Sequence, residues 1–449
     1  MSASPQARKR AEMLAKLDAA PAEFAAWRAA AAAPPLNKHQ SQIRRITTRL
    51  EALAGQLRTD LDDAGAGLLA EWTTFELVIL DLHHLWDFFR AKFALRYPQW
   101  LREPLTVADE LVWACYSPAQ QRATDAGGVD PATVREPPLT FYGIGSTPVA
   151  LSRHSVYERA GAANRLYTAE FAAELRSLPV PAIAMPWHQI GHVPDLMLLV
   201  HETGHQVEAD FGLTAELRAA ARGGLDRSPD PGWWLDRLAE TFADVYGVLG
   251  AGAAYVTALI DFLAAPPAAL AAETAPDDYP TALLRIRVAL AALEQTCPDD
   301  PRIGTLQAVL DDTDPGPFGG DVAPLVNALL THRFPVFGDV PLTEVLSFAA
   351  LRKQSEIDVA ALATERRRPE SGNPRGVLAA AALRFADDPE AYERLRAGPR
   401  AVESVIANET AGPRFRGGAG AGQDFDAIDR AAAAGMHDRL LRAAAAARS

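Results

Sequence analysis

Two histidines four residues apart, in His201-Glu202-Thr203-Gly204-His205, sit inside an apolar pattern running from Pro194 to Phe211, and this stretch constrains the fold more than any other. Proline is tolerated in the first turn of a helix and glycine tends to end one, so Pro194 and Gly212 bound a predicted helix. On such a helix the two histidines share a face about 6 Å apart along the axis, and both imidazoles can reach one ion at about 2.0–2.1 Å. Glu202 falls on the flank of the pair, where its carboxylate can meet a water on the ion rather than the ion itself.

A second stretch, Glu240-Thr241-Phe242-Ala243-Asp244, lies in another helical pattern, from about Trp233 to Leu249. A catalytic zinc with one open position takes three protein ligands, and Glu240 from this second helix would complete a set with His201 and His205. Asp244 is one turn further along the same face, placed to accept the other ring N–H of His201 or His205. Two plainer readings stand beside this one. The histidines can be ordinary core residues, and Glu240 and Asp244 can form a solvated acidic face that Asp236 extends. The neighbours Phe242, Ala243, Val245 and Tyr246 make the helix apolar nearly all round, which favours burial.

Together the two motifs resemble those of the gluzincin metallopeptidases, in which HExxH is followed by a helix bearing ExxxD. The fuller form ExxADxxG, seen in soluble and membrane relatives of the CAAX prenyl protease, is matched from Glu240 to Gly247. Those relatives carry a later His-Pro, four residues, then Arg-Ile; here Tyr279-Pro280 and Arg285-Ile286 keep that spacing. The resemblance covers residues 195–290, about a fifth of the chain. It implies a zinc cofactor (Zn2+), a peptide or protein substrate, Glu202 as general base and acid, and Arg285 as a brace for the ligand carboxylate. It also implies oxyanion stabilisation at residue 279, where Tyr279 replaces the family's histidine; a phenol can still donate a hydrogen bond there. His188 and His192, in the loop ahead of the first helix, are candidates for the substrate rim.

The rest of the chain reads as mostly helical. From Gln42 the positions Ile43, Ile46, Leu50, Leu53 and Leu57 step by three and four, the stripe of an amphipathic helix that Gly65 and Gly67 close. A longer, more buried helix follows over Leu68–Leu95. Pro138–Leu151 and Leu178–Met185 are short, apolar and punctuated by proline and glycine, which suits strands. The stretch Thr140–Val149 is expected to edge a cleft and offer backbone groups to an extended peptide. A third helix is expected over Pro280–Leu293, and beyond Pro301 helices continue with breaks at 315–320, 368–374 and 416–422. The expected fold is mainly α with a small β-sheet, an α+β zincin-like core over residues 68–300. Helical regions flank it at 1–67 and 301–449, the latter ending in a Gly/Ala-rich tail.

Length and composition narrow the function classes. With 449 residues, about half of them hydrophobic, the chain can bury a sizeable core without staples. Its two cysteines, Cys115 and Cys297, lack any zinc or disulfide spacing, which fits a reducing cytosol and a cytoplasmic setting. A net charge of −13 without basic runs argues against a nucleic-acid surface. No apolar stretch reaches an uninterrupted membrane span, and no secretory signal opens the chain. Two rivals to a zinc peptidase follow from the same residues. One is a catalytically silent zinc-stabilised protein that binds a partner protein through its helical flanks; the other is a metal hydrolase acting on a non-peptide amide.

Overall fold

Helix α1 (Pro5–Ala30) begins where Ser4 accepts a hydrogen bond from the Ala7 N–H at 3.1 Å, with proline in its first turn. The stripe from Ile43 to Leu57 lies on one face of α2 (Gln40–Asp63), and all five side chains are fully buried. After a turn at Gly65–Gly67, α3 (Leu68–Ala94) turns Phe75, Leu82, Trp86 and Phe89 inward. The computed structural model describes residues 3–130, 134–145, 147–150, 169–272, 278–311, 313–365, 367–408 and 424–446. The expected glycine-rich break at 416–422 lies outside them.

Helix α4 (Gln99–Asp125) turns one side to the sheet through Leu101, Leu105, Ala108 and Val112. Its other side, with Leu111 and Cys115, enters the large helical core. The sheet has three strands in the order β1-β3-β2, formed by β1 (Leu139–Gly143), β2 (Val149–Ala150) and β3 (Ala182–Pro186). β1 runs parallel to β3 in the register Leu139↔Ala182 to Gly143↔Pro186, whereas β2 is antiparallel, with Ala150 opposite Ile183. A parallel pair cannot close through a tight hairpin, so a long crossover separates β1 from β3. Both expected strand regions therefore carry strands, and the first carries two.

A buried polar network fixes this sheet. Asp109 accepts from the Thr140 N–H and hydroxyl at 3.2 and 2.8 Å and from Arg96 at 2.7 Å, while Arg96 also donates to the Thr140 carbonyl and to His39. With every partner satisfied, a buried charge of this kind holds β1 to α2, α3 and α4 at once.

The large core is built round α5 (Leu198–Asp210), which carries the two histidines, and α6 (Leu238–Ala251), which carries Glu240. A one-and-a-half-turn 3-10 segment, Val193–Met197, leads into α5, and Gly212 with φ +63° follows it. The helix expected from Trp233 is broken at Arg237 into Pro231–Asp236 and α6. That break leaves Asp236 exposed and off the α6 face. After α6 come α7 (Ala253–Phe262) and α8 (Ala282–Thr296), the latter capped by Thr281 accepting from the Leu284 N–H. Further along, α9 (Pro374–Asp387) packs into the same core, and its Arg375 caps the end of α6 by donating to the carbonyls of Leu249 and Gly250 at 2.9 and 2.8 Å. A small hairpin, Arg333–Phe334 with Val340–Pro341, interrupts a region that reads as helical.

The chain closes with α10 (Phe425–Ala446), which returns to the first three helices and places Met436 and Leu440 in their core. The molecule is thus mainly helical with a small sheet. Among the described residues no helix is long and apolar enough to cross a membrane.

Candidate metal centre

The approach of α5 to α6 sets the geometry. Gly204, inside the histidine motif, lies so close to α6 that an added Cβ would stand 2.9 Å from the Tyr246 Cβ and 3.2 Å from the Ala243 Cα. At that spacing Nε2 of His201 and Nε2 of His205 are 3.1 Å apart, and Glu240 Oε2 is 3.1 Å from the first and 3.6 Å from the second. Donor atoms around a tetrahedral ion with bonds of about 2.0–2.1 Å stand roughly 3.3 Å apart, and the three separations here lie close to that value. Among the described residues this is the one group of histidine, cysteine and carboxylate side chains close enough to hold a metal.

Glu240 and Asp244 are fully buried, which rules out the solvated acidic face. Behind the ligand atoms, Asp244 Oδ1 lies 2.9 Å from His201 Nδ1, so of the two histidines it is His201 that this carboxylate supports. Arg285, on α8, donates to Asp244 twice, from Nε at 2.9 Å and from Nη2 at 2.8 Å. The guanidinium braces Asp244 rather than Glu240. A bidentate pair of this geometry fixes the carboxylate's plane and compensates its charge away from water.

The electrostatics follow from burial and pairing. Burial alone would raise the Asp244 carboxyl, but the Arg285 charge and its hydrogen bonds overcome this and hold it at about 2. Glu240 is pushed up by burial and brought well below the usual range by His205 and His201. Burial pulls His201 down, yet its hydrogen bonds with Asp244 and Glu240 carry it up to about 9. Two buried carboxylates are thus held in ionised form by the imidazoles and the guanidinium packed against them.

Glu202 occupies the flank of the pair, nine-tenths buried, with Oε2 accepting from the Ala150 N–H of β2 at 2.5 Å. The short edge strand thus lies directly against the glutamate beside the two histidines. Its first residue, Val149, ends the stretch Thr140–Val149 expected to edge a cleft, of which residue 146 lies outside the described residues. Tyr279 is half-buried; its ring lies over the Arg285 guanidinium at 5.3 Å and its carbonyl accepts from Arg237. His188 is exposed in a 3-10 turn after β3, while His192 pairs with Asp195 at 3.2 Å and meets the edge of Phe385.

Sequence reasoning passed over three participants. The Ala150 amide could not be found, because a backbone group leaves no mark on residue identity. Arg375 lies more than a hundred residues from the helix end it caps. Tyr255 donates to Asp244 Oδ1 at 2.5 Å, and its only signal was the glycine of ExxADxxG. No family model matches the chain, and no curated protein or solved structure matches it.

Proposed function

We propose that the protein is a zinc-dependent peptidase of the gluzincin type with a zincin-like core, in which His201, His205 and Glu240 hold the metal. The observation that carries this reading is the convergence of two imidazole nitrogens and a buried carboxylate oxygen at zinc-ligand spacing, with Asp244 behind His201. Zinc supplies a Lewis acid there, polarising a carbonyl and making water a nucleophile at neutral pH. Asp244 keeps the proton of His201 on Nδ1, so that the Nε2 lone pair points to the ligand set. Glu202 takes the proton of the attacking water and returns it to the leaving nitrogen. Its bond to the Ala150 N–H fixes one carboxylate oxygen. Tyr279 is proposed as an oxyanion donor, and His188 and His192 as parts of the rim.

The substrate class is an extended peptide or protein segment, which β2 can meet with main-chain hydrogen bonds. Both cysteines are free and buried, in keeping with the cytoplasmic setting that belongs to this proposal. The depth of the ligand set, with His205 only 3% exposed, favours a second reading in which zinc locks the fold and a partner binds elsewhere. Screening peptide libraries and unfolded casein with wild type and Glu202→Gln separates the two. Chelator-sensitive cleavage that disappears in the variant supports the enzyme; cleavage that persists unchanged contradicts the role of Glu202.

A further inference from the structure

Tyr255 is delivered to the metal centre by two glycines. Helix α6 ends at Gly252, whose φ of 57° and ψ of −138° reverse the chain into α7, and whose missing side chain leaves room for Phe348, 2.5 Å from where a Cβ would stand. The reversal lays the Tyr255 ring back across α6 over Gly247, where an added Cβ would meet ring atoms at 2.6 Å. The phenol then reaches past its own helix to Asp244 Oδ1 at 2.5 Å, and its oxygen lies 3.2 Å from His201 Nδ1. The His201 and Tyr255 ring planes are within 11° of parallel.

A buried tyrosine needs one acceptor for its hydroxyl, and Tyr246 on α6 meets that need with the Cys115 carbonyl at 2.8 Å. Tyr255 does more. Its proton goes to the oxygen of Asp244 that faces His201, which leaves the phenol lone pair and Asp244 Oδ1 as two acceptors round one ring nitrogen. Between two acceptors Nδ1 is a donor, and in the neutral imidazole, the form a metal takes, Nε2 then carries the lone pair. Arg285 already satisfies the charge of Asp244, so what the phenol adds is direction.

We infer that Tyr255 is a positioning residue for the metal, holding Asp244 Oδ1 and the His201 tautomer so that Nε2 faces Glu240 and His205. The inference rests on the zinc reading above. It is tested by the zinc affinity of folded protein, measured by chelator competition at neutral pH, for wild type, Tyr255→Phe, Asp244→Asn and the double variant. Tyr255→Phe is expected to bind zinc roughly 10 to 100 fold more weakly, and to add nothing further in the Asp244→Asn background. A merely structural tyrosine would lower the thermal midpoint of the metal-free protein without this dependence on Asp244. Wild type that takes up no zinc overturns both the zinc reading and this one. Wild type that binds zinc while Tyr255→Phe binds it equally well overturns the positioning role alone, as does an equal loss in both backgrounds. If Tyr255→Phe does not fold, zinc titration of the 3-fluorotyrosine-labelled wild type decides. The Tyr255 fluorine resonance, one of nine, should move at one equivalent, and an unmoved Tyr255 resonance contradicts the inference.

Discussion

At the scale of single residues, the three carboxylates of the centre are expected to respond differently to substitution. Glu240→Ala removes a ligand and should abolish tight zinc binding, whereas Asp244→Asn should weaken it by roughly 10 to 100 fold, since Asp244 acts through His201. Metal titration that finds Asp244→Asn devoid of zinc and Glu240→Ala fully loaded would reverse their roles. Glu202→Gln should keep both zinc and fold, and lose turnover by on the order of 10² to 10⁴, because it removes a base without removing a metal bond. That His201, His205 and Glu240 come together was legible because the histidines share one helix face at fixed spacing and Glu240 sits in an apolar helical pattern that favours burial. Arg285 was legible only through resemblance, and its actual partner, Asp244, only through the structure, because spacing says nothing of which carboxylate a long side chain reaches from another helix.

At the scale of elements, the centre depends on how closely α5 and α6 approach. Gly204→Ala places a methyl against the Tyr246 Cβ and the α6 backbone, and an overpacked interface of this kind costs about 1–3 kcal/mol. A lower denaturation midpoint together with weaker zinc binding is expected; an unchanged midpoint would show that the helices can part freely. Helix α3 offers a pH test independent of the metal. Burial pushes the Asp81 carboxyl from 3.8 up to about 7, so the folded state holds this proton more tightly than the unfolded chain does. The stabilisation is complete below about pH 4 and is lost as pH rises through 7. Asp81→Asn should therefore match wild type near pH 4 and gain on it by on the order of 1–4 kcal/mol by pH 7.5, in urea unfolding; a gain independent of pH would contradict the burial of the charge. Periodicity found α2, α3 and the cores of α5, α6 and α8, since apolar stripes are local. It missed the break at Arg237 and the hairpin at Arg333–Phe334, which few residues set and the surroundings decide.

At the scale of the whole molecule, the chain's end is bound to its beginning. Asp429 on α10 is fully buried and accepts from Arg45 at 2.9 Å and from Arg49 at 2.8 Å, both on α2. Asp429→Ala would leave two buried guanidinium groups without their carboxylate, a loss of about 3–5 kcal/mol. Hydrogen exchange should then show α1, α2 and α10 opening first, while any zinc affinity holds, because the proposed ligands lie on the helices of the other core. Loss of zinc in parallel would mean that the two cores are one cooperative unit. This long-range docking was not readable from an alanine-rich tail, whose composition marks a helix but not its partner. The proposed zinc between α5 and α6 is tested most directly by the metal content per chain. Purified wild type should carry about one zinc, lost in both His201→Ala and His205→Ala variants that still fold. Full zinc in both variants, or none in the zinc-supplemented wild type, would contradict the account.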